Sequence, residues 1–464
     1  MHDRESEVLV PGPEDRARAA ESDAPAGETA ADSHVPSLGS LAVGFLFNHE
    51  TLHQVGHSAP LIAELKRSHP ELDISVLTSS DEQMALIRSN LPADLSSSVS
   101  FIPLRLSSAA ERINRVARYV APFKRVAILR SNLDILGRFD ALIVPESTTT
   151  TLKSRFGLDH LKLIYTHHGA GDRSVAFGDE LKHFDFILMS GSKVRDRLLS
   201  LGLIEEGGYA IVGYPKFDNV LERVAHPPRL FRNDKPTVLY NPHFEPRLSS
   251  FFTMGLQVLD LFAASRDYNL VFAPHVMLGK RRIHASLEHF TVRFRHDVPE
   301  KYLRHPHIRI DMGSESCVDM TYTLGADIYL GDASSQVYEF LLRPRPCIFL
   351  NSHRAQWVDN RDYLHWRLGP VVDDVSQLGD VLAKAEADHA SYRPVQEALF
   401  AKTIEISDVP STRRAADAVA GFLARGGPAS RPGGTAGVPA SPVHSPTAAS
   451  APGPVSTVGR EVAR

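Results

Sequence analysis

The sequence predicts an α/β protein with two parallel sheets in succession, and three features of the chain support this. Short apolar runs alternate with helical stretches along most of the 464 residues. Runs of this length, bounded by turn residues, are typical of parallel strands with helices on both faces. A charged, proline-rich stretch at residues 214–236 divides the runs into two series, as expected of an interdomain linker. Polar clusters follow several of the runs.

The first series predicts a domain over residues 40–213. It begins with a strand from Leu41 to Phe47, a polar loop and a helix around residues 61–65. Five further apolar runs are predicted strands, at 74–77, 141–144, 161–165, 186–189 and 210–212.

The second series predicts a domain over residues 237–425. Its predicted strands are 238–240, 270–273, 308–310, 328–330 and 347–350, with helices at 253–264 and 336–342 and helical sequence from about 393 onward. Loops at the carboxyl ends of parallel strands line a crevice where ligands bind. Two such units joined by a linker therefore predict two domains facing each other across a cleft.

Both ends of the chain are predicted to be disordered. Residues 1–39 have almost no aromatic side chains, and residues 426–464 repeat Pro, Gly, Ser and Ala. Chains of such composition cannot bury enough apolar surface to offset the entropy lost on ordering.

Composition excludes several classes of protein. A net charge of −4 argues against nucleic acid as the main partner. The two cysteines, Cys317 and Cys347, lie in apolar surroundings, which argues against a disulfide framework or a thiolate zinc site. The sequence has no apolar stretch of about 18 residues and no apolar signal-peptide core near Met1, so a cytoplasmic location is expected.

The first polar cluster, His167-His168-Gly169, follows the run at 161–165. Gly169 and Gly171 permit close approach of a ligand, and a loop histidine can act as a base near neutral pH. The same residues are also compatible with an ordinary turn that has no function, because many loop histidines have none.

Two clusters in the second domain suggest phosphate chemistry. Asp332 or Ser334 can cap the helix that follows, and the free N–H groups of a helix start favour a phosphate. Glu339, one turn further, is placed either to reach a ribose hydroxyl or to face solvent. His275 follows the run at 270–273; a histidine there can stabilise negative charge, although lone strand-end histidines are more often structural.

Two weaker patterns lie in the first domain. Gly56-His57-Ser58-Ala59-Pro60 is similar to the Gly-His-x-x-Pro loop that many nucleotide-sugar transferases direct at their acceptor, or is simply a helix start with an early proline. Residues 105–138 interleave basic and apolar side chains. They fit a helix lying on an anionic membrane, or a solvated basic face packed on the sheet.

Four stretches, taken in order, resemble the CDP-glycerol glycerophosphotransferases of teichoic-acid synthesis. Residues 168–173 resemble that family's His-Gly-x-x-x-Lys, residues 213–218 its Gly-x-Pro-Arg-x-Asp, residues 332–335 its Asp-Tyr-Ser-Ser, and residues 360–372 its late Tyr-containing loop and Pro-Gly-Pro. The chain departs from the family at three places: His167 stands where Trp is usual, Ala170-Gly171 replaces Thr-Pro, and Val276 follows His275 in place of Pro.

The resemblance implies a GT-B-like fold of two facing Rossmann-like domains. It also implies transfer of a glycerophosphate-like or glycosyl group from a nucleotide-diphosphate donor, such as CDP-glycerol, to a hydroxyl of a cell-envelope polymer or lipid-linked acceptor. His168 would be the base and His275 would contact the donor phosphates. The implied donor site adds Arg173, Asp332, Ser334, Ser335 and Glu339, and the acceptor side has His57 and His167.

No cofactor is expected, because the nucleotide-activated donor is itself a substrate, and no acidic cluster suggests a metal site. Peripheral contact with the inner face of the membrane is compatible with the basic segment at residues 105–138. Two other functions remain open. A non-hydrolysing UDP-N-acetylglucosamine 2-epimerase would share the two-domain plan, and the altered loop at His167 is also compatible with a catalytically silent nucleotide-binding module.

Overall fold

The structure is a computed structural model that describes residues 41–49, 52, 55–108, 110, 123–166, 171–173, 177–286 and 290–426. Across these ranges the chain forms two parallel sheets with helices packed around them, and this confirms the predicted fold class. The two predicted tails lie outside the described residues, apart from residue 426.

The first sheet, within the described ranges, has seven parallel strands in the order β3-β2-β1-β4-β5-β6-β7. The strands are β1 Ala42–Phe47, β2 Asp73–Thr78, β3 Ser100–Pro103, β4 Ala141–Val144, β5 Lys162–Thr166, β6 Phe186–Met189 and β7 Tyr209–Ile211. Six of them overlap predicted runs. The edge strand β3 was not predicted, because it pairs with β2 only and its short sequence is not continuously apolar.

Helices and 3-10 turns connect the strands of the first sheet. They are α1 Val55–Ser68, α2 Asp81–Asn90, α3 Phe123–Ser131, α4 Leu133–Leu136, α5 Thr151–Ser154 and α6 Ser192–Ser200, with 3-10 turns at Ala93–Leu95, Thr148–Thr150 and Asp179–His183. Helix α3 belongs to the basic segment at 105–138 and buries Ile128 and Leu129 in the core. This part of the segment packs on the sheet, while residues 111–122 lie outside the described ranges.

The second sheet has, in the described part of the chain, six parallel strands in the order β12-β9-β8-β13-β14-β15, and a separate hairpin pairs β10 with β11. The strands are β8 Thr237–Asn241, β9 Asn269–Phe272, β10 Ile283–Ser286, β11 Thr291–Phe294, β12 Ile308–Ile310, β13 Ile328–Gly331, β14 Cys347–Leu350 and β15 Val371–Val372.

The linker and second half contain α7 Pro215–Asp218, α8 Leu221–Ala225, α9 Phe251–Ala264, α10 Val276–Lys280, α11 Thr321–Gly325, α12 Gln336–Phe340, α13 Leu378–Thr403 and α14 Ser411–Ala424. Their 3-10 turns are Glu300–Arg304, Glu315–Cys317, Arg361–Leu368 and Val375–Gln377. Throughout the described residues, no helix combines the length and apolar character needed to cross a bilayer.

The final helix, α14, returns to the first half of the molecule. Phe422 stacks on Phe186 of β6, with ring centroids 4.6 Å apart. The Asp218 carboxylate accepts hydrogen bonds from the backbone N–H groups of Ser411 and Thr412, each 2.8 Å long, and so caps the helix start. The sequence predicts that helical residues from about 393 to 425 end the second domain. The structure ends α13 at residue 403 and packs α14 on the core of the first domain instead. The exact domain boundaries stay a prediction.

Replacement of Phe422 by Ala tests the anchorage of α14. We expect it to lower the free energy of unfolding by about 3–5 kcal/mol, because a fully buried ring leaves a cavity. The matched control is Phe290→Ala, whose ring is 95% exposed and whose loss should change stability by no more than about 0.5 kcal/mol. Equal urea midpoints for the two variants would contradict this packing.

Candidate functional site

Loops from the carboxyl ends of the two sheets meet each other. Gly171, in the loop after β5, lies so close to the loop after β13 that a Cβ atom on it would be 3.6 Å from the Cβ of Ser335. The loop after β5, from Gly171 onward, therefore lies against the loop of residues 332–335.

Asp172 is the centre of the hydrogen bonds that join these loops. Its side chain is almost fully buried, and Lys193 Nζ donates to Oδ1 at 2.6 Å. Tyr338 Oη donates to Oδ2 at 2.7 Å, and His365 Nδ1 lies 3.0 Å from the same oxygen. Lys193 belongs to α6 of the first half, whereas Tyr338 and His365 belong to the second half. One carboxylate thus connects both domains.

His365 connects two loops of the cleft through its two ring nitrogens. Nδ1 faces the Asp172 carboxylate, and Nε2 lies 3.0 Å from the backbone carbonyl oxygen of Asp332. The indole N–H of Trp366 donates to the same carbonyl oxygen at 2.8 Å. His365 thus joins the loop of Asp172 to the loop after β13.

Opposing effects act on the charge of Asp172. Burial alone would raise the pKa of this carboxyl, but the positive charges of Lys193 and His365 outweigh burial and lower the pKa to about 2. Asp172 is consequently ionised, and Arg197 adds hydrogen bonds to its backbone carbonyl and to Asp362, the latter at 2.7 Å.

The carboxyl group of Asp332 faces inward. Oδ1 accepts from the N–H groups of His243 and Ala333 at 2.8 and 2.7 Å, and Oδ2 accepts from the N–H and hydroxyl of Ser250. Burial raises its pKa to about 6, although these hydrogen bonds oppose the rise. The Asp332 carboxyl group thus holds the loop between β8 and α9 against its own loop; its predicted contact with a donor stays a prediction.

His275 and His243 form an aromatic cluster with Phe244 at the ends of β9 and β8. The ring of Phe244 lies 4.5 Å from that of His243 and 4.7 Å from that of His275, measured between centroids. His243 Nδ1 accepts from the N–H of Glu245 at 3.1 Å, and His275 Nδ1 accepts from that of Met277 at 3.3 Å. With Nδ1 an acceptor, each ring carries its proton on Nε2 and presents a neutral N–H donor there.

Arg173 brings a positive charge to this cluster from the first domain. Burial lowers the pKa of His243 well below its usual value, and the charge of Arg173 lowers it further. The ring of His243 is consequently neutral. The predicted contacts of Arg173 and His275 with a donor stay predictions.

Ser334, Ser335 and Glu339 lie at the start of α12. Ser334 is buried and its hydroxyl accepts from the N–H of Gln336, while Ser335 is half-buried beside Gly171. Glu339 is buried and accepts a 2.6 Å ion-paired hydrogen bond from Lys216. Glu339 thus has a partner inside the protein and does not face solvent; its predicted contact with a ribose stays a prediction.

The predicted base and acceptor residues lie outside the described part of the chain. This applies to His167 and His168, and also to the side chain of His57, whose backbone belongs to α1. The neighbouring residues are described: Ser58 Oγ lies 2.7 Å from Thr166 Oγ1 and so joins α1 to the end of β5. The start of α1 is thereby fixed next to the residue that precedes His167.

The sequence patterns did not indicate four residues of this site, namely His243, Asp172, Lys193 and His365. His243 had a usable signal, because it follows the predicted strand 238–240 just as His275 follows the next strand. Asp172 and His365 lie within the stretches used for the family resemblance, but their contacts span 193 residues and depend on how the two sheets dock.

The fold formed by these two facing domains, with α14 closing the first, is of the GT-B type, and the predicted GT-B-like fold is confirmed. Solved structures of the wall teichoic acid polymerase TagF share it. One has a TM-score of 0.53 at 13% sequence identity and covers 84% of this chain and 89% of its own. A variant of that polymerase soaked with CDPG also gives a TM-score of 0.53 at 13% identity, covering 84% and 90%.

A UDP-N-acetylglucosamine 2-epimerase matches with a TM-score of 0.43 at 11% identity, over 82% of this chain and 94% of that chain. No protein-family model and no curated protein matches this sequence. At these identities the similarity concerns the fold.

Replacement of Asp172 by Asn tests the connection between the domains. It leaves Lys193 and His365 buried without their counter-charge, so we expect a loss of about 3–5 kcal/mol in the free energy of unfolding at pH 7. Asp196→Asn is the matched control, because Asp196 pairs with Arg195 at the surface, where such a loss costs no more than about 1 kcal/mol.

The pH dependence of the same variants gives a second readout. The pKa of Asp172 is lowered from 3.8 to about 2 by folding, so its stabilisation is complete above about pH 4 and disappears as pH falls through 2. The loss of stability that protonation of Asp172 causes at low pH should therefore be missing in Asp172→Asn and present in Asp196→Asn. Parallel curves of urea midpoint against pH would contradict it.

Proposed function

We propose that this protein transfers a glycerophosphate-like or glycosyl group from a nucleotide-diphosphate-activated donor, such as CDP-glycerol, to a hydroxyl of a cell-envelope polymer or lipid-linked acceptor. The observation that carries the proposal is the packing of the first-domain loop that holds Arg173, at Gly171, against Ser335 of the second domain. The positive charge of Arg173 acts on His243, whose ring centroid lies 5.6 Å from that of His275. One cation and two neutral N–H donors suit a diphosphate, whose oxygens accept hydrogen bonds and carry negative charge.

In the proposed reaction His168 takes the proton of the acceptor hydroxyl. The hydroxyl oxygen then bonds to the distal phosphorus of a donor such as CDP-glycerol, or to the anomeric carbon of a sugar donor. The bond to the leaving group breaks, and the released nucleotide keeps the electron pair. Negative charge grows on the leaving phosphate, so fixed donors at Arg173, His243 and His275 stabilise the transition state more than the ground state.

The buried network has a positioning role in this proposal. Asp172 lies between Gly171 and Arg173, and its bonds to Lys193 and Tyr338 hold this loop against α12. Asp332 holds the backbone of His243 in the same way. Ser334 and Ser335 with the adjoining backbone are proposed to contact the pyrophosphate.

The contacts of the carboxylates favour a transferase over an epimerase. An epimerase of the rival type needs acidic groups in the cleft for proton abstraction. Asp172, Asp332 and Glu339 all have hydrogen-bonded partners inside the protein, whereas His243 and His275 present imidazoles at the ends of their strands. A silent nucleotide-binding module would bind the donor without turnover, so separate measurements of binding and of turnover distinguish it from a transferase.

Donor binding is the first test. We expect CDP and CDP-glycerol to raise the melting temperature more than UDP or its conjugates, because a ligand bound only to the folded state stabilises it. His243→Ala should weaken that binding about 10- to 100-fold through loss of a hydrogen bond to a charged group. His243→Gln restores an N–H donor and should recover part of the affinity, and the exposed His226→Ala serves as control.

A stronger response to uridine nucleotides would contradict the cytidine donor. Absence of any response to all the nucleotides and conjugates would contradict a nucleotide-using function altogether. Equal affinities for the His243 variants and wild type would remove His243 from the donor site.

Turnover is the second test. His168→Ala should abolish transfer from the donor while leaving donor affinity nearly unchanged, as expected of a base that acts on the acceptor. Transfer should also persist in EDTA, because the proposed chemistry uses no metal. Equal losses of binding and turnover would count against His168 as the base, and binding without turnover for any donor in wild type would identify a silent module.

A further inference from the structure

The hairpin β10–β11 exposes an unusual amount of apolar side chain. Ile283 is 55% exposed, Val292 59%, Phe294 67% and Phe290, at the turn, 95%. The ladder pairs Ile283 with Phe294 and Ala285 with Val292, so these apolar residues occupy one face of the two-stranded sheet. The face is continuous and open to solvent.

The opposite face fixes the orientation of the hairpin. His284 and Ser286 are buried, and the ring of His284 packs edge-on against Phe252 of α9, with centroids 5.7 Å apart. Because side chains alternate along a strand, this packing forces Ile283 and Ala285 outward. The exposed apolar face is therefore built into the register of the hairpin.

Basic residues surround this face. Residues 280–297 contain five Lys or Arg against one Glu and one Asp, in a chain whose overall net charge is −4. The exposed members Lys280, Arg281, Arg282 and Arg293 flank the strands. Asp297 pairs with Arg282 and Arg295, which leaves an excess of positive charge around the apolar side chains.

We propose that the β10–β11 hairpin docks on an anionic lipid bilayer, with its apolar face and Phe290 in the acyl boundary and its basic residues at the headgroups. Aromatic and aliphatic side chains enter this interfacial region, and each Lys or Arg near an anionic surface adds attraction. The apolar face is on the order of 400 Å², which is small for a stable protein dimer but sufficient for shallow insertion.

The proposal is independent of the transferase function, although the two fit together. Helix α10, which leads into the hairpin, begins directly after His275. A docked hairpin would hold the second domain at the membrane surface, where a lipid-linked acceptor is found. The basic segment at residues 105–138 is not required for this contact.

Sedimentation with vesicles tests the docking of the full chain. We expect binding to vesicles of phosphatidylcholine mixed with phosphatidylglycerol, weaker binding to phosphatidylcholine alone, and loss of binding at high salt. The double variant Phe290→Ser, Phe294→Ser should bind the vesicles at least about tenfold more weakly, because it removes two inserted rings. Val358→Ser, at a site 69% exposed elsewhere on the surface, should bind like wild type.

Two measurements make the result decisive. Melting temperature and CDP affinity should be unchanged in the double variant, since both rings are exposed to solvent and neither belongs to the histidine cluster; this separates failed docking from a failed fold or donor site. Absence of vesicle binding by wild type, or full binding by the double variant, would overturn the proposal. A wild-type dimer in sedimentation velocity that Phe294→Ser dissociates would assign the face to a second copy instead.

Discussion

A single buried carboxylate, that of Asp172, determines how the two domains meet. It is ionised in the interior because Lys193 from the first domain and His365 from the second supply opposite charge. The desolvation of such a group is costly unless its partners are held in good geometry. The loops on either side of the cleft are therefore coupled: a shift of one domain against the other breaks bonds to the same two oxygens.

This coupling extends to the proposed donor site. His365 joins Asp172 to the backbone of Asp332, and the side chain of Asp332 holds the loop that contains His243 and Ser250. Burial lowers the pKa of His243, so its ring is a neutral group at the end of this series of hydrogen bonds.

The fold was predictable from the sequence because parallel strands buried on both faces are continuous apolar runs, as in 328–330 against the observed Ile328–Gly331. The approach of the loop after β5 to the loop after β13, where Gly171 lies against Ser335, followed from the rule that carboxyl-end loops converge. The hairpin β10–β11 was not predicted, since its strands alternate basic and apolar residues without a buried run. Asp172 and His365 could not be assigned either, because a carboxylate in a loop has no local signature of a partner 193 residues away.

The return of α14 to the first domain has a consequence for synthesis of the protein. Val419, Phe422 and Leu423 complete a hydrophobic core whose other members begin at Leu41. Domains usually fold in the order in which they leave the ribosome. Here the N-terminal domain cannot close its core until residues 411–424 have been translated, so the second domain is the one able to finish folding first.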